Sequence, residues 1–430
     1  DVPFSESFTN VMPAWLQLKY AHANGLLSDD IFAVANILKV MSLHRVSDIY
    51  GPLPVLHFGE TENPYNSQEE CYMHFFETLD SAIAVLKDVV ENNPDAKPLE
   101  EVDALYHGDY SKWLKLANSV KLRLAMRICY VKPDLAKQYA MEAVRDGVME
   151  TADDSALFQS WGSITIINPL EKIWNGYSDT RMGASMDSYL NGYNDPRLPV
   201  YFQPVTEGDN KGEYRGVANG MPNPQQDDYK AMSAPNVQEK STDSPLRWMM
   251  ASEVAFLRAE GAMRGWTAEM GGTAEEFYNK GIELSFLENG LSADAAARYA
   301  ADETSKPTDF TDVSAANTKY NISALGKITI KWNAGASEEE QLERIITQKW
   351  IAMFPNGTEA WSEFRRTGYP LIFPVRSNYP TSGVDTNKQI RRMVFPQSEY
   401  SNNGAAVQEA VKLLGGPDNG GTKLWWDKKN

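Results

Sequence analysis

The stretch Asp29–Ile49 limits what this chain can fold into more than any other feature of it. Ile31, Val34, Ala35, Leu38, Met41 and Ile49 recur at helical spacing, while Ile37, Val40 and Leu43 fill a second face. A helix that is apolar on two faces has to be packed between neighbours. It stops at Tyr50-Gly51-Pro52-Leu53-Pro54, where proline and glycine cannot continue it. Three further helices follow at short intervals. One opens at the capping pair Ser67/Glu70 and carries Phe75, Phe76, Leu79, Ile83 and Leu86 on one face. The next starts at Asp109 and carries Trp113, Leu116, Ala117, Val120, Leu124 and Ile128; the last follows Pro133, from Asp134 to Asp146. Helices paired through short links predict stacked helical hairpins of the tetratricopeptide kind. Their starts keep no regular period, so the repeats are irregular.

At 430 residues the chain exceeds the roughly 250–300 residues at which single cores stop growing. It reads as one composite domain, 1–430, with three regions: a helical-hairpin scaffold over 1–150, a loop-rich lobe over 151–247, and further helices with an irregular C-terminal part over 248–430. Helical patterns resume at Met249–Trp266, at Thr273–Phe286 behind a second capping pair, Thr273/Glu276, and from Ser337 to Phe354. Trp113, Leu124, Trp350 and Trp361 are expected to be buried in these helices. The expected fold class is mainly α. The middle region holds eight glycines and eight prolines in 97 residues, which breaks helical periodicity. It keeps ten aromatics, more than a disordered linker would carry, so it is read as an ordered set of loops.

The formal charge of −17, from 41 basic and 58 acidic residues, argues against non-specific nucleic-acid binding, which needs a basic footprint. Two cysteines, Cys71 and Cys129, exclude a disulfide scaffold and read as buried free thiols. No apolar run approaches the length of a membrane span. The start, Asp-Val-Pro-Phe, has neither an initiator methionine nor a signal peptide, so the chain is expected to be processed or trimmed. His44 and Asp48 share a helix face and could in principle bind a metal, but no second ligand pair is near, and a structural role is expected. No nucleophile–base, metal or phosphate-binding constellation stands out, and no cofactor is expected. A carboxylate pair of the glycosidase kind is not singled out by any spacing.

Eleven tryptophans and twenty tyrosines suit a protein that stacks flat ligands such as sugar rings. Rings in helical patterns are expected to be core. Those in the loop lobe, Trp161, Trp174, Tyr177, Tyr214 and Tyr229, are the candidate ligand-binding residues. Glycines beside them let a loop present a ring, and Asn175, Asn210, Asp228 and Arg215 could bond hydroxyl groups.

A set of strings in fixed order resembles the SusD/RagB family. They are His44-Arg45-Val46-Ser47-Asp48-Ile49-Tyr50-Gly51-Pro52-Leu53-Pro54, Gly108-Asp109-Tyr110-Ser111-Lys112-Trp113, the run Ala117–Arg127, Asp195-Pro196-Arg197-Leu198, Glu253–Glu260 with Arg264-Gly265-Trp266, Gln348–Phe354, Glu359-Ala360-Trp361, Arg365–Pro370, and Arg391–Pro396 before Glu399. Phe395 stands where the family often has tyrosine. The strings have a physical reading of their own. Arg123 and Arg127 lie four apart and can fork onto carboxylates of a neighbouring helix; Asp195-Pro196-Arg197 starts a turn with a guanidinium beside it; Arg365 and Arg366 flank a loop that Gly368 and Pro370 shape.

The resemblance implies a SusD-like scaffold at the cell surface, on the outer membrane of Bacteroidetes, held by an N-terminal lipid anchor that this chain does not include. It implies a nutrient-binding lipoprotein, not an enzyme, that captures an oligosaccharide and passes it to a SusC-like TonB-dependent transporter. A peptide binder of the same architecture is the alternative, and a glycan-active hydrolase a further one. The resemblance carries over no binding residue.

Overall fold

The computed structural model describes residues 2–236 and 244–429, with Asn175 described by its backbone alone. The stretch 237–243 of the middle region lies outside the described residues. The chain divides into two compact units, residues 1–149 with 379–430, and residues 150–378.

In the first unit the helices Asp29–Tyr50, Gln68–Asn92, Tyr110–Arg127 and Pro133–Arg145 each pack on the next in chain order. This is the stacked-hairpin arrangement that their apolar faces require. Ser67 caps the second helix: its hydroxyl accepts the Glu70 N–H at 3.2 Å, and its own N–H donates to the Glu70 carboxylate at 2.7 Å. Asp109 caps the third through the N–H groups of Ser111 and Lys112. Gly51 ends the first helix at φ +96°, and a side chain there would meet Leu414 and Leu424. Only glycine serves both demands.

The C-terminal segment, expected to be irregular but carrying the helix Gln397–Leu414, closes this unit through polar contacts made inside it. Trp426 is fully buried and donates from Nε1 to Asp48 at 2.8 Å. Tyr72 donates to the same carboxylate at 2.5 Å, and Arg127 Nε lies 3.4 Å from its other oxygen. Arg392 donates to the Tyr50 carbonyl at 2.9 and 3.1 Å, and the Met393 N–H donates to the Ile49 carbonyl. Asp48 is thus the anchor of a buried network, while His44 binds the Val40 carbonyl through Nδ1. Cys71 and Cys129 are free and buried, and burial pushes the Cys71 thiol up to about 12.

The second unit is built on the helices Ala251–Met263, Ala274–Leu287 and Glu338–Ala352, which pack on one another. Gly281 permits the close approach of the first two, since a Cβ there would lie 2.7 Å from the Phe256 ring. Phe256, Tyr278, Ile282, Phe286, Ile345 and Ile346 form the centre of the core. Two short antiparallel strands, Ala156–Phe158 and Leu246–Met249, enter and leave the middle region, with Phe158 and Trp248 stacked at 4.6 Å.

Buried charges hold the loops of this unit. Arg197 is wholly buried; it grips Asp195 through Nε and Nη2 and reaches Ser285 and Gln348. Arg366 forks onto Glu260 at 2.6 and 2.7 Å and also binds Glu363, which Lys349 approaches at 3.2 Å. Such groups are tolerated in an interior only when paired and hydrogen-bonded. The loop region also contains a real helix, Ala184–Gly192, whose Tyr189 and Leu190 join the core.

Trp113 and Leu124 are buried as expected, but Trp350 and Trp361 are half-buried. Trp350 packs at the rim of the core, edge-on to Tyr189 at 5.8 Å. Arg365, one turn along the helix Gly357–Thr367, lays its guanidinium over the Trp361 ring at 3.5 Å. In each case a neighbour does part of the covering that the core does for Trp113.

Candidate aromatic binding site

The candidate site lies in the second unit, on two short elements that do not neighbour each other in sequence. The first begins at Asn168, whose side chain accepts the Leu170 N–H and so caps the turn Pro169–Glu171. That turn runs into a π-helix, Lys172–Tyr177. π-turns of this kind are uncommon and concentrate at functional positions. The π-helix stops at Ser178, which is left-handed at φ 53°. It presents Trp174, half-buried, and Tyr177, 58% exposed, with the Lys172 ammonium 5.9 Å from the Tyr177 ring. The second element is the turn Gln226–Tyr229, capped reciprocally by Gln225 and Asp228, and it presents Tyr229, half-buried.

Arg181 joins the two. Its guanidinium carbon lies 4.9 Å from the Trp174 ring centre and 6.0 Å from that of Tyr229. Its donors go to main-chain carbonyls: Nε and Nη2 to Lys230 at 3.2 and 2.7 Å, and Nη1 to Ser178 and Thr180 at 3.0 and 2.8 Å. Gln226 adds a bond to the Ser178 carbonyl at 3.3 Å. Burial lowers the Arg181 pKa from its ordinary value, which leaves an arginine charged at any physiological pH.

The other candidate rings are placed differently. Trp161 stands at 37% exposed on a separate tight turn, where its backbone exchanges hydrogen bonds with Ile164 at 2.9 and 3.0 Å. Tyr214 is half-buried and packs on the core, and its carbonyl accepts from Asn191. Of the polar candidates, Arg215 is engaged by the Thr311 carbonyl and lies 3.7 Å from buried Asp187. The main chain of Asn210 accepts the Glu213 N–H, and the Asp228 side chain is occupied in its cap. The Asn175 side chain lies outside the described residues. The structure therefore brings Trp174 and Tyr229 together, with Tyr177 on the same π-helix as Trp174. Arg181 is the residue that sequence reasoning missed, because its tie to the second element, through the Lys230 carbonyl, spans 49 residues.

Chemically, this arrangement offers flat apolar faces backed by a fixed cation, which suits stacking of a pyranose face.

No curated protein matches the chain. The family model described as SusD-like, "Susd and RagB outer membrane lipoprotein", matches residues 1–427. Among solved structures, a chitin-binding SusD homolog from Flavobacterium johnsoniae is 41% identical, with a TM-score of 0.91 over 98% of this chain and 86% of that one. A SusD-like protein from Bacteroides thetaiotaomicron is 39% identical, with a TM-score of 0.92 over 100% and 87%. A SusD homolog from Bacteroides uniformis is 40% identical, with a TM-score of 0.88 over 97% and 85%. The mainly helical architecture, the ordered family strings and these likenesses agree, and the chain belongs to the SusD-like family of outer membrane lipoproteins.

Proposed function

We propose that this protein binds an oligosaccharide at the outer cell surface without turning it over, and hands it to a SusC-like TonB-dependent transporter. The observation that carries the binding part is the pair Trp174 and Tyr229 gathered around Arg181, backed by Tyr177 on the same π-helix. A sugar ring presents a flat C–H face to such rings, and each stack contributes on the order of 1–3 kcal/mol by analogy with bases on aromatic side chains. The relative from Flavobacterium johnsoniae described as chitin-binding supports a glycan over a peptide. The surface location rests on the family description, and no helix among the described residues is long and apolar enough to cross a membrane. The transfer step rests on family membership.

Calorimetric titration with soluble oligosaccharides of chitin, xylan, mannan and starch tests the reading. At least one class should bind, and Trp174→Ala and Tyr229→Ala should each weaken it by roughly 5- to 100-fold with the thermal midpoint unchanged. Product release during the titration, or undiminished binding by both variants, would reject the reading.

A further inference from the structure

Resting on that reading of Trp174 and Tyr229 as the stacking pair, we infer that Arg181 is the positioning residue of the site. It locks the end of the π-helix Lys172–Tyr177 to the turn Gln226–Tyr229, so that the two rings are preset for a ligand that Arg181 itself does not bind.

The argument begins with the backbone. A helix end leaves carbonyls without intrahelical partners, and here the chain turns away sharply at Ser178, φ 53°. The carbonyls of Ser178 and Thr180 are met by Arg181 Nη1, and the Lys230 carbonyl, just past Tyr229, by Nε and Nη2. One planar group thus ties together carbonyls from two segments. Four of its five N–H donors are spent on main-chain carbonyls, so the guanidinium has one N–H left to offer a sugar hydroxyl. Its carbon stands 4.9 Å from the Trp174 ring centre and 6.0 Å from that of Tyr229.

The geometry depends on arginine. An ammonium is a compact donor on a flexible stem and cannot reproduce the fork onto carbonyls of two segments. Affinity gained from a preset site comes from ordering that need not happen on binding. Loss of Arg181 should therefore loosen the rings before it affects anything else. Lys172, whose ammonium faces Tyr177 and not Trp174, makes none of these ties.

The test uses the full chain, chitohexaose as the probe, and the variants Arg181→Met, Arg181→Lys, Lys172→Met and Trp174→Ala. In the ligand-free protein, hydroxyl-radical footprinting read by peptide mass spectrometry should show Trp174 and Tyr229 modified several-fold faster in Arg181→Met. Rates at Trp113 and Trp426, which sit in the other unit, should be unchanged. Arg181→Lys should restore little of the protection, and Lys172→Met should leave both rings as they are. Chitohexaose affinity should fall about tenfold in Arg181→Met, and the double variant with Trp174→Ala should bind no worse than the weaker single variant. Unchanged footprints at both rings, or full affinity in Arg181→Met while Trp174→Ala is impaired, would overturn the role of Arg181 and leave the stacking site standing. Full affinity in Trp174→Ala would overturn the stacking site itself, and the role of Arg181 with it.

Discussion

Replacing Lys39 by methionine should stabilise the protein near neutral pH, although it deletes a charge. Lys39 lies on the helix Asp29–Tyr50 and is only 3% exposed. Its ammonium sits 4.1 Å over the Trp15 ring and donates to His74 Nε2 at 3.2 Å. Burial, helped by the repulsion of Lys19, lowers Lys39 from 10.5 to about 8. A drop of that size corresponds to roughly 3 kcal/mol of folding free energy when the group is charged. The sign follows from which state holds the proton. Above pH 10.5 both states carry a neutral amine and the term vanishes. As the pH falls from 10.5 toward 8, the unfolded chain takes up a proton that the folded chain refuses, and stability is lost across that window. Below 8 the whole cost is present.

Methionine keeps the apolar stem and removes this cost, but it also forfeits the contact with Trp15, about 0.5–2 kcal/mol. The net gain at pH 7 should be about 1–2 kcal/mol. Urea unfolding of Lys39→Met and the parent at pH 7 and pH 10.5, followed by circular dichroism, measures it. The advantage should be seen at pH 7 and largely gone at pH 10.5. A variant less stable at pH 7, or an equal advantage at both pH values, would refute the reasoning. His74 supplies an internal check. Burial and the charges of Lys39 and Lys19 hold it down to about 4, so it too withdraws stability as the pH falls from 6.5 toward 4. In Lys39→Met its pKa, followed by NMR, should move upward.

Arg366→Met leaves Glu260 and Glu363 buried without their fork and should cost about 3–5 kcal/mol in urea unfolding. Burial pushes the Glu260 carboxyl up, but Arg366 and Arg264 hold it below its usual range, so the parent should lose this support as the pH falls below about 4.5 and the variant should show a smaller acid dependence. Gly281→Ala places a methyl 2.7 Å from the Phe256 ring and should destabilise by about 1–3 kcal/mol, seen as a lower urea midpoint with an unchanged slope. The transfer proposal predicts co-purification with an outer-membrane β-barrel from native membranes under mild detergent; clean isolation alone, in conditions that keep related pairs together, would count against it.

Much of the helical architecture was legible because its signals are local. The capping pairs Ser67/Glu70 and Thr273/Glu276 form as their spacing implies, and the helix Asp29–Tyr50 is buried along both apolar faces except at Ile31 and Leu38, which are half-buried. The helix Ala184–Gly192 was not legible. It is nine residues long and hemmed by Gly183, Gly192 and Pro196, too short for a periodic pattern to rise above the glycines and prolines around it. The tie between Arg392 and Met393 and the end of the helix Asp29–Tyr50 spans more than three hundred residues, and no neighbouring residues announce it. The half-buried state of Trp361 follows from one arginine choosing its ring as a platform, a rotamer decision that spacing does not encode.

The family strings and the candidate site differ in visibility for one physical reason. Arg197 with Asp195, and Arg366 with Glu260 and Glu363, are side chains paired with side chains in the interior. Losing one partner strands the other as a buried charge, so both letters must be present together, and they stand in the sequence as motifs. Arg181 instead spends its donors on carbonyls of Ser178, Thr180 and Lys230. Every residue has a carbonyl, so the partners of Arg181 leave no mark in the sequence whatever side chains those positions carry. The rings it supports need only be flat and apolar on one face, which tryptophan and tyrosine both satisfy. A site built this way can change its rings while its framework is kept. Sequence reasoning could therefore offer five separate aromatic candidates, and the grouping of Trp174 with Tyr229 around one guanidinium becomes visible only once the backbone has brought the turn Gln226–Tyr229 to the end of the π-helix.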